Sequence, residues 1–108
     1  MDDLKGKTAI VTGASRGIGA ATARELAGLG VNVVLVARSE GEIAGIADEI
    51  NKAGGKAAAV ASDVARYEDV QTAVDTAVER FGGLDILVNN AGLIEPIAHL
   101  VESDPAAW

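Results

Sequence analysis

The sequence predicts an α/β fold in which helices cover a parallel sheet. Short apolar runs alternate with longer segments of helical period, in the order β-α-β-α-β-α-β. One run, VNVVLVA at residues 31–37, is almost continuously apolar, as a strand that is buried on both faces must be. Strand–helix–strand units of this length join parallel strands through right-handed crossovers.

Each element has its own signal in the sequence. Strands are predicted at residues 8–11, 31–37, 56–61 and 84–88. Glycines end the intervening helices at Gly30, at 54–55 and at 82–83. Apolar residues at helical spacing predict the three buried helix faces: Ile18, Ala21, Leu26 and Leu29; Ile43, Ile46, Ala47 and Ile50; and Val70, Ala73, Val74, Ala77, Val78 and Phe81.

Composition limits the class of protein. The 108 residues are enough for one small domain. The chain is 49% apolar but has only one Trp, one Tyr and one Phe, so the core must be built from Ala, Val, Ile and Leu. The chain has no cysteine and therefore no disulfide or thiolate metal site, and we predict no metal.

Charge and hydropathy indicate which partners to expect. Nine basic and sixteen acidic residues give a net charge of −7, which argues against nucleic acid or an anionic membrane as the main partner. No run approaches the ~20 apolar residues of a membrane span. The N-terminus lacks the basic and long apolar regions of a signal peptide. We therefore expect a cytoplasmic protein.

A glycine loop, TGASRGIG at residues 12–19, follows the first strand and opens the first helix. Backbone N–H groups at a helix N-terminus lack partners, and the helix dipole favours an anion there. The spacing is not G-x-G-x-x-G, because Thr22 stands where the third glycine would fall, and no GKS or GKT marks a P-loop. The loop therefore indicates either a site for a dinucleotide pyrophosphate or a tight turn with close helix packing.

The end of the second strand indicates which dinucleotide to expect. About 20 residues beyond the glycines, an acid would hydrogen-bond the ribose 2′-hydroxyl of NAD. This strand ends in Ala37-Arg38-Ser39, with no acid before Glu40. Arg38 can pair with the 2′-phosphate of NADP, and Arg16 in the loop can add a second cation. The alternative is that both arginines only solubilise the surface, but their placement favours NADP over NAD.

Three motifs follow one another, each at the carboxyl end of a predicted strand: TGASRGIG, Asp63-Val64 and NNAG at residues 89–92. Together they resemble the short-chain dehydrogenase/reductase family over essentially the whole chain. The ARSE stretch and the acidic-Pro-apolar segment after NNAG are most similar to the β-ketoacyl-acyl-carrier-protein reductase type. The resemblance implies a Rossmann-like, doubly wound sheet with strand order 3-2-1-4. It also implies NADP(H)-dependent hydride transfer to or from a carbonyl or alcohol substrate.

The same resemblance implies which residues meet the cofactor. Asp63 matches the carboxylate at the adenine amino group, and Val64 lies along the base. Thr12 and Asn89 are expected to tie the first and fourth strands together rather than to touch ligand. The other matches are the cofactor loop at Gly13, Ser15, Arg16, Gly17, Ile18 and Gly19, the 2′-phosphate region at Arg38 and Ser39, and the segment beside the riboses at Asn90, Ala91 and Gly92.

The family's catalytic pattern is a Tyr-x-x-x-Lys pair with an upstream serine and a relay asparagine. The single tyrosine here, Tyr67, is followed four residues later by Gln71, and the single histidine, His99, has no Ser/Asp pattern with it. We predict no catalytic residue in this chain, with Tyr67 a capping or surface residue and His99 a solvated loop residue. Two functions remain: the cofactor-binding part of an oxidoreductase, inactive by itself, or a folded nucleotide-binding or structural module without enzymatic role.

The last residues, SDPAAW, predict the start of a helix. Ser103 or Asp104 suits the N-cap, and Pro105 suits the first turn. The resemblance implies that this helix carries the relay asparagine in longer members. We therefore expect residues 1–108 to be the N-terminal, dinucleotide-binding half of a reductase domain, with an incomplete tail at 93–108.

This organisation predicts how the chain associates. The fourth strand would leave one edge unpaired, with Ile86 and Val88 beside free backbone groups. We therefore expect self-association, as a dimer that pairs fourth strands or exchanges the tail. The tail would add its own apolar residues: Ile94, Ile97, Leu100 and Trp108.

Overall fold

A computed structural model describes residues 4–14, 17–62 and 66–89. In these residues strands and helices alternate in the predicted order, and the third strand has the predicted bounds. The elements are β1 (Thr8–Thr12), α1 (Gly17–Gly28), β2 (Asn32–Ala37), α2 (Glu40–Lys52), β3 (Lys56–Ala61), α3 (Tyr67–Phe81) and β4 (Ile86–Asn89). The predicted helix start at 103–108 and His99 lie outside the described residues.

The strands form one parallel sheet in the order β3-β2-β1-β4, which confirms the predicted order. Val11 of β1 is opposite Leu35 of β2 and Val88 of β4. Because all the strands are parallel, their carboxyl ends meet at one edge, which we call the carboxyl edge, and their starts meet at the opposite, amino edge. Ligands of doubly wound sheets bind outside the carboxyl ends.

Helices cover both faces of the sheet. Alternate residues of a strand point to opposite faces. Val11, Val33 and Leu35 pack with α1 and α2. Ile10 and Val34 pack with α3 on the other face. The central strands β1 and β2 are therefore buried on both sides, as the VNVVLVA run indicates for β2.

The predicted buried face of α1 is largely wrong. Ala20 and Ala23 face the sheet, and Leu26 is only partly buried. The helix begins so close to the turn before it that small residues are needed on its inner side. The other three residues of the predicted stripe are exposed: Ile18, Ala21 and Leu29.

The faces of α2 and α3 agree better with the sequence. All four predicted residues of α2 are buried. On α3, Val70, Ala73 and Ala77 are buried, but Val78 is 52% exposed and was wrongly assigned to the core. Gly82 ends α3 in the left-handed conformation, and its N–H donates to Val78 O at 2.9 Å. No helix within the described ranges is long and apolar enough to cross a membrane.

The fourth strand starts later than the sequence predicts. The ladder pairs Ile86 with Ala9 and does not include Leu84. Asp85 precedes the ladder, donating its N–H to Thr8 O at 2.9 Å while its Oδ2 accepts the Thr8 N–H at 3.0 Å. A side chain therefore replaces one backbone partner where β1 and β4 begin to pair.

Candidate functional site

The turn from β1 into α1 crosses the carboxyl edge between two strands. Gly13 has a φ of +61°, a conformation that favours glycine. Ala14 is fully buried, and its N–H donates to Val36 O of β2 at 3.3 Å. The turn is therefore held to the sheet at a defined place before α1 begins.

Gly19 lets the first turn of α1 lie against that loop. A Cβ built on Gly19 would overlap the carbonyl oxygen of Gly13, far inside the 3.0 Å that real Cβ atoms keep. Since the obstacle is backbone, a rotamer change cannot relieve the overlap. The close packing predicted as one use of these glycines thus belongs to Gly19.

Gly17 has a different role from Gly19. Its φ is +62°, and a Cβ there would meet no atom of a described residue within 4 Å. Open space therefore lies beside the residue that begins α1, and Ile18 next to it is 76% exposed. The first turn of α1 contains no acidic residue, so no carboxylate of that turn offsets the positive end of the helix dipole. This arrangement suits an anion such as a pyrophosphate.

The end of β2 supplies polar side chains for which no partner is found among the described residues. Arg38 is exposed and has no ion-pair partner among the described residues. Ser39 is the N-cap residue of α2, yet its side chain makes no capping hydrogen bond. Glu40 and Glu42 lie in the first turn of α2 and complement its dipole. Arg38 and Ser39, rather than this helix terminus, are therefore the groups suited to an anion.

The end of β3 is held beside the end of β2. Ser62 is buried, and its N–H donates to Ala37 O at 2.9 Å. Sequence reasoning did not single out Ser62, although its position directly before the predicted adenine carboxylate was a usable signal. Asp63 and Val64 follow it and lie outside the described residues.

The ends of β1 and β4 are joined as predicted. The Thr12 hydroxyl donates to Asn89 Oδ1 at 3.0 Å and lies 3.4 Å from Val88 O. Thr12 is only 1% exposed, so its hydroxyl serves the sheet rather than solvent. This pair fixes the ends of β1 and β4 at the carboxyl edge.

The structure brings the described cofactor candidates to this one edge. Gly13 lies in the turn after β1, and Gly17, Ile18 and Gly19 begin α1. Arg38 and Ser39 follow the adjacent strand. The remaining predicted residues lie outside the described ranges: Ser15, Arg16, Asp63, Val64, Asn90, Ala91 and Gly92.

Tyr67 has the surroundings of a surface residue. It opens α3 and is 60% exposed, as predicted. Gln71, four residues later, donates from Nε2 to Asp75 Oδ1 at 3.0 Å along the same helix. No basic group stands where the family pattern would place its lysine relative to this tyrosine.

A family model described as short chain dehydrogenase matches residues 7–108. The chain belongs to the short-chain dehydrogenase family. It is 53% identical over 93 residues to 3beta-hydroxysteroid dehydrogenase 1 of Eggerthella lenta, covering 85% of this chain and 36% of that protein. It is 47% identical over 100 residues to glucose 1-dehydrogenase 2 of Bacillus subtilis, covering 90% of this chain and 39% of that protein. The chain thus spans little more than a third of the length of these two relatives.

Solved structures agree with this assignment. L-sorbose reductase from Gluconobacter frateurii, crystallised with NADPH and L-sorbose, superposes with a TM-score of 0.79 at 44% identity, over 85% of this chain and 36% of that one. A metagenomic short-chain oxidoreductase in complex with NADP gives 0.75 at 44% identity, over 83% and 41% of the two chains. The finer resemblance to β-ketoacyl-acyl-carrier-protein reductases stays a prediction.

Proposed function

We propose that this chain is the NADP(H)-binding part of an oxidoreductase that transfers hydride between nicotinamide and a carbonyl or alcohol substrate. Its family membership and the NADPH- and NADP-bound structures of its relatives support this proposal. The observation that carries it is the close approach of the Gly13 and Gly19 backbones, beside which no atom of a described residue fills the space at Gly17. The relatives are far longer, so hydride transfer is proposed for the whole protein.

The loop and helix fit the pyrophosphate of a dinucleotide. A ligand can approach the backbone at Gly17 because no side chain of a described residue fills the space there. The N–H groups of the first turn of α1 would bind the phosphate oxygens, and Ile18 would lie against the ligand with its exposed apolar side chain. When bound, the nicotinamide ring supplies or accepts the hydride.

Arg38 and Ser39 would select the phosphorylated dinucleotide. A guanidinium without an ion-pair partner among the described residues can form two parallel hydrogen bonds to a 2′-phosphate. The Ser39 hydroxyl, which makes no cap, can add a third. Arg16 was predicted to contribute a second cation on the same side.

Calorimetric titration with NADP⁺ and NAD⁺ tests this choice. NADP⁺ should bind at least about tenfold more tightly than NAD⁺, a difference of ~1.4 kcal/mol. Arg38→Ala should remove most of that preference. Arg80→Ala, an equal loss of charge on an exposed residue of α3, should leave it intact. Equal binding of the two dinucleotides by the wild type, or the same loss in both variants, would contradict the assignment.

The chain by itself should not turn over substrate. Tyr67 is its only tyrosine, and Gln71 rather than lysine follows it at the family's spacing. This favours a second candidate for the isolated chain: a folded dinucleotide-binding or structural module. Adding the C-terminal part of a related reductase and following NADPH oxidation separates the two. If the two parts associate and no turnover appears with carbonyl substrates, the module without enzymatic role is favoured.

The free side of β4 supports the proposed self-association. In the described residues β4 pairs only with β1, and Ile86 and Val88 are only partly buried. Such an edge can accept a strand of a second copy. Sedimentation at micromolar concentrations should show a dimer. A chain that stays monomeric in dilute, clear solution would contradict this part of the proposal.

A further inference from the structure

The strand β3 lies at the side of the sheet opposite β4. Its backbone N–H and C=O groups show a distinctive pattern of free and bonded groups. Among the described residues β3 pairs only with β2. At its end the Ser62 N–H donates to Ala37 O of β2. Backbone groups of successive residues in a strand point alternately to either side within the sheet plane. Ala58 and Val60 therefore bond β2, whereas Ala57, Ala59 and Ala61 direct their N–H and C=O groups outward.

One side chain already occupies the first of these outward positions. Asn51 Nδ2 donates to Ala57 O at 3.1 Å, and Asn51 Oδ1 accepts the Ala57 N–H at 2.9 Å. A carboxamide presents a donor and an acceptor as a peptide group does. Asn51, in the last turn of α2, therefore bonds β3 in the way that one residue of an added strand would.

The two bonds shorten the edge that another strand can use. With Ala57 engaged, Ala59 and Ala61 are the β3 residues whose outward groups have no partner in the described part of the chain, and both are exposed. Without Asn51, three outward residues at two-residue intervals would extend from Ala57 to Ala61. That strand, KAAAVA, carries one charge and no proline, so little else in its sequence opposes pairing.

We propose that Asn51 is an edge cap that prevents a second copy of this chain from adding a strand to β3. Association then remains on the β4 side of the sheet. The inference depends on neither the cofactor nor the catalytic assignment, because Asn51 lies at the amino edge, away from the dinucleotide site.

Substitutions at Asn51 distinguish a residue that blocks strand addition from one that only makes a local hydrogen bond. Asn51→Ala removes both hydrogen bonds and frees the Ala57 groups. Asn51→Asp keeps the acceptor for the Ala57 N–H and adds a charge that opposes strand addition. Asn51→Ala should therefore self-associate at about tenfold lower concentration than the wild type, whereas Asn51→Asp should not. Sedimentation velocity across a concentration series measures both.

A second substitution locates the new contact. Ala59→Lys places a charge on the exposed edge without removing a core residue. Added to Asn51→Ala, it should return the association to the wild-type range. If Asn51→Ala associates no more readily than the wild type, or if Ala59→Lys fails to reverse its association, the edge-cap proposal is wrong.

Amide hydrogen exchange of the wild type tests the geometry even if Asn51→Ala does not fold. The Ala57 amide should exchange at least about tenfold more slowly than the Ala59 amide, because only Ala57 has a partner outside the sheet. Equal protection of the two amides would show that another contact covers the whole edge and would overturn the proposal.

Discussion

The amino and carboxyl edges of the sheet, where the strands start and end, use their polar residues differently. At the amino edge, side chains complete the fold: Asp85 binds the backbone of Thr8, and Asn32 Nδ2 lies 3.4 Å from both Gly6 O and Thr8 Oγ1. At the carboxyl edge, Arg38 and Ser39 make no such bonds within the described residues. The carboxyl edge also receives the N-terminus of α1, whose dipole favours an anion, so side chains and helix direction both distinguish the two edges.

That difference shows where binding is to be expected. Polar groups that already have partners would lose them on meeting a ligand, and that loss offsets the gain. Polar groups without protein partners give up only hydrogen bonds to water when a ligand binds. The Thr12–Asn89 pair is an exception at the carboxyl edge, because its hydrogen bond joins β1 to β4. Substitutions at the amino edge should therefore change stability, and those at Arg38 or Ser39 should change binding.

The largest effect on stability and binding is expected at Gly19, where the start of α1 packs closely against the loop at the carboxyl edge. Gly19→Ala would force the new methyl group onto the Gly13 carbonyl. Overpacking against backbone should lower the free energy of unfolding by about 3 kcal/mol. It should also weaken NADP⁺ binding, because the loop must move. Urea unfolding and calorimetry measure the two effects.

A glycine at the other end of the same helix is the control. A Cβ on Gly28 would meet nothing within 4 Å. Gly28→Ala should therefore be neutral or stabilise by up to ~1 kcal/mol. Similar losses of unfolding free energy from the two substitutions would mean that Gly19 and the Gly13 carbonyl are less closely packed than the structure shows.

The next largest effect belongs to the amino edge. Asp85→Ala leaves the Thr8 N–H without its carboxylate acceptor and should lower the free energy of unfolding by about 1–2 kcal/mol. The ratio of NADP⁺ to NAD⁺ affinity should not change. Asp85→Asn retains an oxygen acceptor and should lose less. A shift in dinucleotide preference with Asp85→Ala would show that the two edges are not independent.

Ser39→Ala should have the opposite profile. Replacing a serine that caps a helix with its side chain destabilises by roughly 0.5–2 kcal/mol. Ser39 makes no such bond, so the unfolding free energy should stay within about 0.5 kcal/mol of the wild type. NADP⁺ affinity should fall several-fold and NAD⁺ affinity should not. A stability loss typical of a cap would assign the hydroxyl to the helix rather than to ligand.

The smallest effect is expected from the exposed ion pair between α1 and α2. Arg24 Nε lies 2.7 Å from Glu49 Oε2, and Nη2 lies 3.3 Å from Oε1. The hydrogen bond from Arg24, and then its charge, lower the pKa of Glu49 below the ordinary 4.5. The pair therefore stabilises the fold above that value, and the stabilisation disappears as pH falls through the lowered pKa.

Glu49→Gln is the matched comparison for this pair. In Glu49→Gln, stability should fall less on acidification than in the wild type. High salt should likewise reduce the pH dependence of the wild type. Thermal unfolding between pH 6 and pH 3 measures both. An unchanged pH profile in Glu49→Gln would assign the acid sensitivity to other carboxylates.

Much of the fold follows from the sequence because period and glycine placement indicate strands and helices in alternation, while the strand order was implied by the family resemblance. The α2 face with Ile43 and Ile50 was predicted correctly, since its large apolar residues repeat at the helical period. The α1 face was not. Apolar size misleads there, because Gly19 brings the helix close to the loop and only Ala20 and Ala23 fit beneath it.

The site was predicted in part for similar reasons. Gly17 and Arg38 were placed because their positions follow from where strands end. The hydrogen bonds of Asp85 and Asn51 to backbone were not foreseen, since their partners, Thr8 and Ala57, are defined only by strand pairing and helix position. The Thr12–Asn89 pair was expected from the family resemblance, whereas for Asp85 and Asn51 only the structure identifies the partners.

Backbone amide shifts of the ¹⁵N-labelled chain during titration with NADP⁺ test the difference between the edges most directly. We expect saturable shifts at Gly13, Gly17, Arg38 and Ser39, with Asn32 and Asp85 unchanged. Shifts centred on the amino edge, or no saturable shift anywhere in a folded chain, would contradict a dinucleotide site at the carboxyl ends of the strands.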